Sequence, residues 1–202
     1  MITIIDYRAG NLASVQKAIT YLGVASQVTE DPDVIRRADQ LLLPGVGHFS
    51  ATARLAESGV RGAVVEAINR GVPFMGICVG MQWLFEGSTE APDVPGLGLF
   101  KGMVERFTGD LKVPHVGWNT IETTAPARLL QCIHDEGFVY YTHSYRAPVV
   151  EGVVATTCYG ERFAAAVERD NVCGVQFHPE KSSAVGLQML RNFCAPGGKN
   201  LC

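Results

Sequence analysis

The chain lacks the features that would place it in a membrane, on nucleic acid or around a metal. Nothing in it approaches the roughly 20 consecutive apolar residues of a spanning helix, and the apolar opening Met1 to Asp6 is too short for the hydrophobic part of a secretion signal. A cytoplasmic protein without membrane contact is expected. With 17 Lys and Arg against 20 Asp and Glu, the net charge is -3, and no basic stretch alternates with aromatics, so there is no electrostatic reason to expect a nucleic-acid partner. Six cysteines (Cys78, Cys132, Cys158, Cys173, Cys194, Cys202) are scattered without C-x-x-C spacing. This removes zinc and a compact disulfide framework and leaves reduced thiols as the simplest reading. The five histidines are equally dispersed, with none at the four-residue spacing of a helical metal pair, so neither a metal nor a cofactor is expected. No internal repeat, low-complexity tract or run of like charge is present.

What remains, 47% hydrophobic and 18% charged, has the balance of one folded domain over residues 1–202, a size that buries about 70% of the unfolded surface. An apolar strand from Ile2 to Ile5 leads through an Asn11 cap into a helix whose Leu12, Val15, Ile19 and Leu22 recur three or four apart. Strands near Ala25 to Val28, Gln40 to Leu43 and Val72 to Ile77, with a helix through Val60, Val64 and Ile68, continue the alternation. Alternation of this kind predicts an α/β fold: a layered, mainly parallel central sheet with helices on both faces. Beyond about residue 96 the pieces shorten, to Leu99 to Phe107, Phe138 to Tyr141, Val153 to Tyr159, Phe163 to Glu168 and Val172 to Phe177, and predict antiparallel additions. A closing helix capped near Ser182 or Ser183, with Leu187, Leu190 and Cys194, should pack on the sheet, and Pro196 to Cys202 reads as a loose tail.

The chemistry is concentrated at Gly76-Ile77-Cys78-Val79-Gly80-Met81-Gln82. A strand that stops and re-enters as a helix needs small residues around the turn that presents its tip, as in the G-x-S-x-G elbow of serine hydrolases. A helix starting at Val79 would place unpaired backbone N–H groups and a positive end beside Cys78, favouring its thiolate. The bland alternative is a buried structural cysteine. Near the C-terminus, His178-Pro179-Glu180 follows an apolar strand. Residues two apart on an extended segment face the same side, so His178 and Glu180 should point together and complete a Cys-His-Glu triad. Val79 N–H is the natural first donor to an oxyanion, and the N–H of Val46 or Gly47, in the turn Pro44-Gly45-Val46-Gly47, a second. Gly45 would let a substrate approach closely. Gln82, four residues after Cys78, shares its helix face and could reach that substrate. His143 reads more simply as a satisfied polar residue.

In this order and spacing, P-G-V-G, G-I-C-V-G-M-Q and H-P-E resemble the class I (triad) glutamine amidotransferases over nearly the whole chain. The resemblance implies a flavodoxin-like layered fold and hydrolysis of L-glutamine through a Cys78 thioester, with His178 as general base then acid and Glu180 as its orienter. It also implies that Gln82, Ser144 and Tyr145 contact the amino-acid end of glutamine. The segments Asp6-Tyr7-Arg8-Ala9-Gly10-Asn11-Leu12, Pro114-His115-Val116-Gly117-Trp118-Asn119 and His178-Pro179-Glu180-Lys181-Ser182 are similar to one branch of the family. Its members pass ammonia to a (β/α)8-barrel cyclase subunit, as a heterodimer, in histidine biosynthesis. Trp118, flanked by Asn119 and Lys181, is the candidate anchor for that partner, the alternative being a core tryptophan. Glutaminases serving anthranilate or aminodeoxychorismate synthesis share the elbow and H-P-E, and a docking module that has lost catalysis is the reading from another class. Two positions depart from the family pattern: Arg8 stands where a glycine is usual, which puts the local turn in doubt, and Val79 stands where a leucine is usual.

Overall fold

The computed structural model describes residues 1–133 and 137–195. The expected tail from Pro196 to Cys202 lies outside the described residues. In chain order the elements are β1 (Ile2–Ile5), α1 (Leu12–Tyr21), β2 (Ser26–Thr29), α2 (Pro32–Arg36), β3 (Gln40–Gly45), α3 (Ala53–Glu57), α4 (Val60–Asn69), β4 (Phe74–Cys78) and α5 (Val79–Gln82). There follow β5 (Gly87–Ser88), β6 (Met103–Arg106), β7 (His115–Thr120), β8 (Glu122–Thr123), β9 (Phe138–His143), β10 (Tyr145–Arg146), β11 (Val153–Tyr159), β12 (Glu161–Arg169), β13 (Val172–Val175) and α6 (Ser183–Cys194).

Eight strands form the main sheet in the order β2-β1-β3-β4-β13-β12-β11-β8. The strands from β2 to β13 run parallel, and β12, β11 and β8 are added antiparallel. The sheet is therefore mixed, with a parallel half built mainly from the N-terminal alternation. Every residue of β1, β4 and β13 is buried, which requires cover on both faces and explains why these strands read as unbroken apolar runs. Two smaller sheets stand beside it, β10-β6-β5 and the antiparallel ribbon β7-β9.

Most expected strands occur within a residue or two of their sequence limits. The long piece Leu99 to Phe107 shrinks to Met103–Arg106 and joins the small sheet. Two short helices went unpredicted. Of these, α2 has Asp31 at its cap accepting from Asp33 N–H at 2.8 Å, with Pro32 in the first turn, a start signal readable in Asp-Pro-Asp. Asn11 does precede α1, but its side chain makes no capping bond. Ser182 precedes α6 without capping it either, because its hydroxyl is engaged elsewhere. Leu190 of α6 is buried together with Met189 and Phe193, while Leu187 and Cys194 are half-buried. Cys78, Cys158, Cys173 and Cys194 are free thiols, whereas Cys132 is disulfide-bonded, so the all-reduced reading does not hold.

Arg8 stands in the left-handed region at φ 63°. Its N–H donates to Asp6 Oδ1 at 2.7 Å, and its guanidinium pairs with Glu30 at 3.2 Å across exposed surface. The turn thus forms without the usual glycine, at the cost of a conformation that side chains disfavour, and an exposed pair offsets little of that. Replacing Arg8 with Gly is expected to raise Tm by roughly 2–4 °C. Scanning calorimetry checks this; a lowered Tm would mean that the Glu30 pair outweighs the strain.

Candidate active site

Parallel pairing sets β4 and β13 side by side, with Val172 level with Phe74 and Val175 level with Ile77. Their carboxyl ends therefore emerge together, β4 ending on Cys78 and β13 leading into His178. Cys78 has φ 53° and ψ -110°, a conformation that costs free energy in any residue with a side chain. Glycines allow the chain to close around it. An added Cβ would lie 2.4 Å from Gly80 O at position 76, and 2.0 Å from Leu43 O at position 80. The following helix, α5, is only four residues long. The charge effect expected of a helix start therefore shrinks to that of one turn.

His178 is held by its backbone. Its N–H donates to Tyr140 O at 2.9 Å, and its carbonyl accepts from Ser182 Oγ at 2.6 Å. The same hydroxyl accepts from Tyr140 N–H at 2.9 Å. The imidazole Nδ1 lies 2.9 Å from Glu180 Oε1, with both side chains 1% exposed. His178 and Glu180 do meet, although Pro179–Lys181 is a 3-10 turn and not the extended segment expected. The curl of that turn, and not strand alternation, brings them together. Burial is the largest single influence on the His178 pKa and lowers it. The Cys78 thiol and the Glu180 carboxylate, through hydrogen bonding and charge, outweigh burial and push the pKa up to about 10. Among the described residues, Nε2 and Glu180 Oε2 are buried without hydrogen-bond partners. The Cys78 contact with Nε2 thus falls short of hydrogen-bond geometry in the free chain, and contacts of this kind commonly tighten only around substrate.

A cavity of about 270 Å³ opens over Cys78, lined among others by Val46, Gly47, Val79, Gln82, Ser144 and Tyr145. These are the positions expected to hold the oxyanion and the substrate. Gly45 is not among the lining residues. It sits behind them, level with Cys78 on β3, where an added Cβ would lie 2.5 Å from Tyr7 Oη and 2.8 Å from Gly80 N. Its glycine is needed for strand packing against the elbow. A larger concavity of about 440 Å³ near Arg8, Glu30 and Arg54 has charged walls, and neither Cys78 nor His178 lines it.

The wall of the site continues into buried polar side chains. Gln82 Nε2 donates to Tyr145 O at 3.0 Å and to Gln176 Oε1 at 3.1 Å, and His143 Nδ1 lies 2.8 Å from the same Tyr145 carbonyl. His143 Nε2 lies 3.1 Å from His115 Nδ1, and the His115 ring is stacked between Tyr141 and Tyr159. His143 is thus a satisfied polar residue, as the simpler reading held, and it also borders the cavity. Gln176 was missed; the available signal was a lone amide in the apolar run from Val172 to Phe177. For His115, nothing in the sequence points to its partner 28 residues away.

On the ribbon, Val116, Trp118 and Phe138 are each at least half exposed. Trp118 packs edge-on against Tyr140 at 5.9 Å, and Lys181 Nζ lies 5.8 Å from the Tyr140 ring. The core alternative for Trp118 is therefore ruled out. Asn119 does not flank Trp118: strand alternation turns it inward, where its amide donates to Cys158 O at 3.1 Å.

Burial lowers the pKa of His115 to about 4 and that of His143 to about 3. The unfolded chain, whose histidines titrate near 6.5, therefore binds more protons below that pH than the native one. Stability from this pair is fully present above pH ~6.5 and is lost as pH falls toward 4 and 3. Urea midpoints should drop over this range, with a shallower drop in His143→Gln. An equal slope in the variant would show that His143 is not held neutral.

The family model described as glutamine amidotransferase class-I matches residues 3–196. The chain is 47% identical over 206 residues to a protein of Salinibacter ruber named imidazole glycerol phosphate synthase subunit HisH, covering 96% of this chain and 94% of that one. A protein of the same name from Moorella thermoacetica is 48% identical over 195 residues, at 95% and 93% coverage. Among solved structures, one described as a glutamine amidotransferase superposes with TM-score 0.75 at 19% identity, covering 96% and 97% of the two chains. PurLQS from Thermotoga maritima gives 0.72 at 19% identity, with 95% and 96% covered. At such identity these structures speak for the fold, while the family model and the nearly half-identical relatives speak for descent: the chain belongs to the class I glutamine amidotransferases.

Proposed function

We propose that the chain, acting as one domain over residues 1–202, hydrolyses L-glutamine to glutamate and ammonia. It delivers the ammonia to a cyclase subunit of (β/α)8-barrel type, as the glutaminase half of a cytoplasmic heterodimer that makes imidazole glycerol phosphate and AICAR in histidine biosynthesis. The observation that carries the chemistry is the strained Cys78 on its glycine elbow, beside an imidazole whose far nitrogen is held by Glu180 at 2.9 Å. In this reading the Cys78 thiolate attacks the side-chain amide carbon. The oxygen that becomes negative accepts from Val79 N–H and from the N–H of Val46 or Gly47. The His178 imidazolium gives its proton to the departing nitrogen, and ammonia leaves a glutamyl thioester. Water then attacks the thioester carbon, its proton passes to His178, and glutamate leaves as the thiolate re-forms. Glu180 keeps the ring oriented throughout. Gln82, Ser144 and Tyr145 hold the amino-acid end, and no metal or cofactor takes part.

Ammonia is largely protonated in neutral water and then has no lone pair for attack, so transfer within a complex serves the synthase better than release. The exposed face of the ribbon supports docking there. Trp118 and Phe138 offer apolar area, with Lys181 at the edge, and aromatic anchors of this type dominate interfaces.

Glutamate release from glutamine should depend strongly on the purified cyclase and its nucleotide substrate. It should vanish in Cys78→Ser and His178→Asn and fall by roughly 100-fold in Glu180→Gln. Release that survives in Cys78→Ser would sink the reading. Trp118→Ala should weaken complex formation by roughly 30-fold, about 2 kcal/mol, at unchanged Tm in the free chain; unaltered affinity would move the interface elsewhere.

A further inference from the structure

Gln176 is wholly buried and follows β13 one residue beyond the Val175 to Ile77 register, which brings it level with Cys78. Its Nε2 lies 3.6 Å from Cys78 Sγ. An amide can usually be turned end for end, exchanging donor and acceptor. Here a chain of constraints prevents that. The Tyr145 carbonyl can only accept, so the group that Gln82 presents to it at 3.0 Å must be the amide nitrogen. The same nitrogen points its second hydrogen at Gln176, 3.1 Å away, so Gln176 must answer with Oε1. Its NH₂ is then left facing the sulfur. His143 Nδ1, 2.8 Å from the Tyr145 carbonyl, holds that anchor from the other side.

We propose that Gln176 is a further catalytic residue: a hydrogen-bond donor, locked in orientation through Gln82 and the Tyr145 carbonyl, that stabilises Cys78 as the thiolate and fixes its direction of attack. A thiolate accepts a hydrogen bond far better than a thiol or a thioester sulfur, and a donor aimed at the charged form favours that form. The bond therefore strengthens whenever the sulfur carries charge, before attack and again as it leaves the glutamyl carbon. It forms and breaks no covalent bond and exchanges no proton. This role rests on Cys78 being the nucleophile proposed above. The other groups near the sulfur are His178 and Glu180 from the 178–181 turn, the buried Tyr7 hydroxyl from the end of β1, whose pKa burial and the Cys78 charge both raise, and Glu90 across the cavity. All of these titrate or carry charge. Gln176 does neither, so its contribution can be separated by substitution.

The test is iodoacetamide labelling of the full chain from pH 5 to 10, read by mass spectrometry on the Cys78 peptide because three other described cysteines are also free thiols. Gln176→Met keeps length without a donor, and Gln176→Glu keeps shape while offering an acceptor. The Met variant is expected to move the labelling midpoint up by about one pH unit, a tenfold loss of thiolate below it or about 1.4 kcal/mol, and the Glu variant to move it further. With the cyclase present, kcat for glutamate release should fall about tenfold in the Met variant, with KM little changed. If neither variant folds, Gln82→Met decides by the same labelling, since it releases the lock and should move the midpoint in the same direction. Profiles that coincide with the wild type, in a wild type that still releases glutamate, overturn the inference alone. A wild type that releases none overturns the glutaminase reading first.

Discussion

The parallel pairing of β4 with β13 is the constraint from which the site follows. These strands are about a hundred residues apart in sequence, yet their register places Val175 level with Ile77. The next residues on each, Cys78 and Gln176, and then His178, emerge at one carboxyl edge. A slip of a single residue would turn every side chain to the opposite face, separating sulfur from amide and imidazole together. Strands buried on both faces resist such a slip because each slipped register must re-pack two layers at once. The stability of the sheet centre is thus what gives the site its geometry.

Close approach is the second requirement, and it is met by absent side chains. Gly45, Gly76 and Gly80 meet where β3, β4 and α5 converge, and a methyl group at any of them would penetrate backbone or the Tyr7 hydroxyl. This packing holds Cys78 in a conformation it would not choose alone. A four-residue helix contributes little of a macrodipole. The charge environment of the sulfur therefore comes from individual groups: His178 opposite, oriented by Glu180, and the Gln176 amide from the side.

Those features explain what could be read in the sequence. Apolar runs at Ile2 to Ile5, Leu41 to Leu43 and Val72 to Ile77 announced the parallel half, since burial on both faces leaves no polar alternation to confuse. The elbow was legible because its glycines are local. The His178 and Glu180 contact was anticipated for the wrong geometric reason, as a 3-10 turn does what an extended segment was expected to do. Gln176 and the His115 and His143 pair were opaque because their partners come from sequence-distant elements, and nothing local to a glutamine tells which amide it will face. Asn119 shows the same limit. Next to a tryptophan in sequence, it lies on the opposite face of the ribbon, where Cys158 takes its hydrogen bond.

The ribbon itself joins the two halves of the proposed function. Its outer face carries Trp118 and Tyr140. Its inner face carries His115, Tyr141 and His143. Tyr140 belongs to both sides of the problem, since its ring lies under Lys181 while its backbone N–H and C=O bind Ser182 Oγ and His178 N–H. A partner seated on the outer face would therefore press on the strand whose peptide groups hold the backbone N–H of His178 and the Ser182 hydroxyl beside it. Any displacement of β9 transmitted by such docking reaches His178 directly, without a long chain of contacts, and it reaches Tyr145 and Gln82 through His143 at the end of the same strand. On the proposed reading, this gives partner binding a short mechanical route to both the proposed base and the proposed substrate wall, because the same two-stranded element supplies the proposed docking face and hydrogen-bonds the backbone of His178.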